Sequence, residues 1–132
     1  MILSYASQRD YDAMAGNPGE TPWTPEHFAA MGEFMAKLNS ELEESGELVE
    51  TRALDAPVHT RRISGLPALV TDGPYAETQE VLAGYWIVEC DSFDRATQIA
   101  QKLAECPAPP EVQASAFADV RPIVDSSADL GF

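Results

Sequence analysis

Residues Val81-Leu82-Ala83-Gly84-Tyr85-Trp86-Ile87-Val88 form an apolar run, with Glu89 and Cys90 closing it. The run is rich in β-branched and aromatic residues and bounded by polar segments, which reads as a strand over 81–90. Alternation points Val81, Ala83, Tyr85 and Ile87 to one face and Leu82, Trp86 and Val88 to the other. A strand apolar on both faces belongs at the centre of a sheet. Helices of a small domain cover only one face, so the second face needs another cover. The expectation is a homodimer whose sheets stack face to face; the alternative covers are the long loop or the C-terminal tail.

The rest of the chain supplies the matching elements. Residues 2–6 read as a first strand, and 7–24 as a long polar loop containing Gly16, Asn17, Pro18, Gly19 and Pro22. A loop of that length serves as a lid or binding loop, or is merely mobile. Trp23 at its end reads as a staple onto the following helix, with a ligand platform as the alternative. That helix is expected over 25–45. Thr24 caps it, Pro25 fits its first position, Glu26 suits its dipole and Gly46 stops it. Phe28, Met31, Met35, Leu38 and Leu42 give it one apolar stripe.

Strands follow at 47–54 and 58–64, around a turn at Asp55-Ala56-Pro57, with a third segment at 67–71. After the central strand, Asp91 or Ser92 caps a helix carrying Ala96, Ile99, Ala100 and Leu103, which Pro107, Pro109 and Pro110 end. A last strand covers 113–124, and residues 125–132 form a polar, frayed tail. The order β-α-β-β-(β)-β-α-β predicts a ferredoxin-like α+β domain over 1–124, with both helices on one face of an antiparallel sheet.

Composition narrows the function classes. The 132 residues suit one core, and 45 % hydrophobic content supports a packed one. Eight basic against 22 acidic residues give a net charge of −14, which repels phosphate backbones and argues against nucleic acid as a partner. No apolar run reaches the roughly 20 residues that span a bilayer, and the N-terminus does not read as a signal peptide, so no membrane partner and a cytoplasmic location are expected. Cys90 and Cys106 read as reduced structural thiols. His27 and His59 lie far apart with no metal-ligand spacing, and no glycine pattern cradles a phosphate or dinucleotide; no metal and no cofactor are expected.

Two strings resemble a known family. Asp72-Gly73-Pro74-Tyr75-Ala76-Glu77-Thr78 followed by Gly84-Tyr85-Trp86-Ile87-Val88-Glu89, and Asp119-Val120-Arg121-Pro122-Ile123 near the end, resemble the DGPF group of YCII-related proteins. The resemblance spans residues 1–124 and implies a dimeric α+β barrel. The wider group is associated with enzymatic activity through a His near the start of the first helix and an Asp before a Pro at the end of the second. His27 matches the first position. Cys106 stands in the second, with Glu105 one residue off, so the pair is not intact. The DGPF group is also associated with transcriptional regulation through sigma factors.

The candidate site follows from the turn and the helix start. His27 suits general acid–base work near neutral pH, or satisfies a helix terminus. Asp72 before Gly73 is a turn former that also suits a ligand or catalytic role. Tyr75 and Glu77 are candidate ligand-binding groups. Arg52 and Arg61 are candidates to neutralise them or to clamp an anionic substrate, while Arg61 and Arg62 point to opposite faces. Three readings result: a small cofactor-independent acid–base enzyme acting on a small organic molecule, a non-catalytic binding or regulatory module, or a structural dimer. A pocket keeping a polar pair favours the first, and an apolar pocket favours binding or no ligand.

Overall fold

Side-chain alternation builds a four-stranded antiparallel sheet with all of its core on one side. The computed structural model describes residues 1–16, 23–73 and 76–131. Strands β1 (Ile2–Ala6), β2 (Leu48–Ala53), β5 (Val81–Val88) and β6 (Ala118–Val120) order as β2-β5-β1-β6. One row across them, Thr51, Trp86, Ile2 and Val120, points at the helices. The neighbouring row, Arg52, Tyr85, Leu3 and Asp119, points away. Helices α2 (Pro25–Glu44) and α3 (Phe93–Leu103) bring Leu38, Leu42, Ile99 and Leu103 onto Ile2, with Met35, Leu48, Trp86 and Val88 packed around them. This is the ferredoxin-like α+β arrangement, with both long helices on one face. The opposite face mixes Leu3, Tyr85 and Ile87 with the charges of Arg52, Glu50 and Asp119, because the flanking strands are polar there.

Residues 7–24 are not a loop throughout. Helix α1 (Gln8–Met14) occupies the first half, closed by a capping box in which Ser7 N–H donates to Asp10 Oδ2 at 2.7 Å and Asp10 N–H donates to Ser7 Oγ at 3.2 Å. The Ser7-x-x-Asp10 spacing carried that signal, and the Gly and Pro residues downstream masked it. α1 acts as a clasp on two connections: Tyr11 Oη donates to the Leu54 carbonyl at 2.7 Å and Arg9 N–H to the Glu77 carbonyl at 2.9 Å.

The end of the chain also differs from expectation. Pro110 starts a short helix, α4 (Pro110–Ser115), because a proline fits the first helical turn, where its missing N–H is not needed. The last strand is therefore only Ala118–Val120, and a 3-10 turn follows at Ser127–Leu130. β2 does not pair with the strand after it. A 3-10 turn at Pro57–His59 redirects the chain, and β3 (Arg61–Ser64) pairs with β4 (Leu69–Asp72) as a separate two-stranded ribbon. All eight of its strand residues are exposed.

One ion pair ties α3 to the start of β2. Arg95 donates two hydrogen bonds to Glu47, at 2.8 and 2.9 Å, while Ser45 Oγ donates a third at 2.9 Å. The Arg95 guanidinium, then the Ser45 hydroxyl, lower the Glu47 pKa to about 2. A depressed folded-state pKa gives stability that is present above the unfolded value and lost as pH falls through the folded one. Glu47→Gln is therefore expected to flatten the loss of stability between about pH 4.5 and 2, measured as urea midpoint against pH. An acid limb as steep as the wild type's would show that this pair contributes nothing to it.

Candidate functional site

Thr24 and His27 close the N-terminus of α2. His27 N–H donates to Thr24 Oγ1 at 3.2 Å, and Thr24 N–H donates back to His27 Nδ1 at 3.1 Å. The imidazole thus stands where a Glu or Gln completes a capping box. Its Nδ1 is committed to the helix cap, accepting from the Thr24 backbone N–H and lying 3.1 Å from the Thr24 hydroxyl. Trp23 stacks on Phe28 with centroids 5.1 Å apart and meets the His27 ring edge-on at 6.1 Å. The tryptophan is a staple across the helix start.

The other sequence-derived candidates are scattered. Asp72 ends β4 and faces Arg61 directly across the ribbon. Its turn is held by Gly73 N–H donating to the Thr60 carbonyl at 2.8 Å. Glu77 is exposed, and its backbone carbonyl, not its carboxylate, anchors α1. Arg52 lies on the sheet face away from the helices, 3.7 Å from Glu50, which also accepts from Tyr85 Oη at 2.8 Å. Tyr75 lies outside the described residues. Among those described, no hydrogen bond or ion pair joins His27 to Asp72, so only Arg61 and Asp72 are brought side by side.

Elsewhere the described residues enclose a cavity and a cleft. A cavity of about 440 Å³ opens between the helices and the sheet, walled by Met35, Trp86, Ala100, Leu103, Phe117 and Val120. Its described polar lining is Ser4, Thr97, Gln101 and Gln113, with no ionisable side chain. Trp86 Nε1–H is satisfied by Asn39 Oδ1 at 3.0 Å, which leaves the indole ring as an apolar wall. A cleft of about 350 Å³ shares the lining residue Ala116 with it and is bordered by Tyr5, Arg9, Asp10, Trp23, Glu80 and Glu111. Tyr5 of the cleft stacks on Phe117 of the cavity, centroids 5.1 Å apart. None of His27, Asp72, Glu77, Arg52 or Arg61 lines either hollow. Among the described residues no group of three or more His, Cys, Asp or Glu side chains is arranged to hold a metal, and no helix is long and apolar enough to cross a membrane.

A family model, that of the YCII-related domain, matches residues 1–125. The chain belongs to the YCII-related family. A relative, an uncharacterized protein of Rhizobium meliloti (strain 1021), is 42 % identical over 45 residues. That stretch covers 34 % of this chain and 36 % of the relative, about a third of its length. In this YCII-related chain Cys106 precedes Pro107 beyond α3, where burial pushes its thiol pKa up. A neutral thiol at that position supplies neither a carboxylate partner for His27 nor an activated nucleophile.

Sequence reasoning missed the cavity walls. Ala100, Ala104, Ala116 and Ala118 make the space by being small. Alanine carries no chemical signature, so only the packing of α3, α4 and β6 reveals the hollow.

Proposed function

We propose that this YCII-related protein, as a DGPF-type member, is a non-catalytic binding module that holds a small apolar molecule between its helices and sheet. The observation that carries this is the cavity of about 440 Å³ with no ionisable group among its described lining residues. Its volume falls in the range of about 300–1,000 Å³ typical of small-molecule sites, and its few amides and hydroxyls suit orientation rather than proton transfer. The commitment of His27 Nδ1 to the helix cap and the neutral Cys106 thiol support the same reading. A role in transcriptional control fits a ligand sensor of this kind.

The test uses an uncharged fluorescent ligand, N-phenyl-1-naphthylamine. Wild-type protein is expected to bind it saturably, and Ala104→Phe, which fills the cavity from the end of α3, to weaken binding at least about tenfold, or 1.4 kcal/mol. Equal affinities for the two proteins would contradict the proposal. The second reading, acid–base chemistry on a small organic molecule, is favoured by the carboxylates of Asp10, Glu80 and Glu111 around the cleft beside Trp23. It requires that Glu80→Gln and Glu111→Gln, which remove carboxylates lining that cleft, abolish a demonstrated activity.

The homodimer through the open sheet face belongs to the same proposal. Leu3, Ala83, Tyr85 and Ile87 stay only half-buried there, as an interface awaiting a partner would. Glu50, Arg52 and Asp119 supply the charged groups on that face. A wild-type protein that sediments as a monomer removes this part of it.

A further inference from the structure

The β3–β4 ribbon stands apart from the main sheet, and both of its outer edges lack a paired strand among the described residues. A two-stranded hairpin is marginal by itself, and a free edge is a template for another strand. The two edges are not alike. β3 begins with Arg61 and Arg62, the kind of charge that blocks edge pairing. β4 reads Leu69-Val70-Thr71 and carries no charge before Asp72.

The ladder fixes which backbone groups face outward. Gly73 N–H donates to the Thr60 carbonyl, so that opposed pair is a hydrogen-bonded one. Alternation along the register makes Arg62/Thr71 and Ser64/Leu69 bonded pairs as well. The N–H and C=O of Val70 and Asp72 therefore point away from β3, on the uncharged edge.

We infer that the β4 edge pairs antiparallel with β4 of a second copy of this chain, about a two-fold axis through Val70. In that register the two Val70 residues exchange both backbone hydrogen bonds, Leu69 faces Thr71, and Ala68 faces Asp72. No like charges oppose each other. Because Ile63 lies opposite Val70 within the ribbon, the pairing completes a row of four β-branched side chains, Ile63-Val70 and its symmetry mate, across one face. Those residues are now 68 % and 65 % exposed. Charge favours this contact too. Two bodies of net charge −14 repel, but the ribbon's strands carry two of the chain's eight basic residues against one acidic residue, so the copies do not meet across an acidic surface.

This surface is separate from both the cavity and the open sheet face. The test is sedimentation of the full chain beside Val70→Lys, with amide exchange at Val70 read by NMR. Val70→Lys sets two ammonium groups against each other on an exposed strand without touching the core. It is expected to halve the wild-type mass, from tetramer to dimer if the sheet-face dimer forms and from dimer to monomer if it does not. The Val70 amide in wild type is expected to exchange at least about 100-fold more slowly than an open amide, since only intermolecular pairing protects it. An unchanged mass in Val70→Lys, or a wild-type Val70 amide exchanging at the open rate, overturns the inference and leaves the edge to a partner other than this chain.

Discussion

Ile99→Ala is expected to lower the free energy of unfolding by about 2–5 kcal/mol, a large share of the roughly 5–15 kcal/mol that holds a domain of this size. Ile99 is 2 % exposed and sits where α3 meets Ile2 of β1 and Leu38 and Leu42 of α2. Truncation removes most of a buried side chain and leaves a void that two helices and a sheet, all regular elements, are poorly placed to collapse into. Urea unfolding measures the effect. A change below about 1 kcal/mol would mean that α3 is not packed on the sheet as described.

Gly84→Ala is expected to destabilise by about 1–3 kcal/mol, through crowding and not through lost conformational freedom. A Cβ on Gly84 would sit 2.9 Å from the Arg52 carbonyl oxygen, with Ser4 Oγ at 3.5 Å and the Ala53 Cα at 3.6 Å. The nearest of these is backbone of the paired strand, which cannot swing aside as a side chain can. The strand must shift, and the shift strains the β2–β5 ladder and the Leu54 N–H to Ala83 carbonyl bond, now 2.8 Å. Thermal unfolding should show a lower midpoint, and the Leu54 amide should exchange faster. A variant as stable as wild type, with Leu54 equally protected, would refute the close approach.

The same two positions show why the fold was legible from sequence. Ile99 lies on a stripe with Ala96 and Leu103, a period only a helix satisfies, and Ser92 caps it where Ser and Asp occur together. β5 read as central because both its faces are apolar, and it is paired on both edges, with β1 and β2. Thr24, Pro25 and Gly46 marked α2 almost to the residue. What failed were short elements whose signals conflict. The Ser7–Asp10 box of α1 precedes a Gly- and Pro-rich stretch, and the prolines that stop α3 also start α4.

The site was much less legible. His27 suits acid–base chemistry by residue type, but the cap geometry decides what its Nδ1 does, and one-dimensional spacing does not encode that geometry. Asp72 and Arg61 were both singled out, yet the redirecting turn at Pro57–His59 carries them onto the ribbon, away from both hollows. Arg52 remains on the main sheet with Glu50. The cavity arises from small residues on three elements that meet only after folding.

The most direct measurement is an NMR titration of the full chain with N-phenyl-1-naphthylamine, following amide, indole and imidazole signals. The account predicts that the Trp86 Nε1–H, the Gln113 side-chain amide and the Ala100 and Ala118 amides shift together and saturate, while the His27 ring signals stay still. Shifts centred on Asp10, Trp23 and Glu111, with Trp86 unmoved, would contradict it and place the ligand in the charged cleft instead.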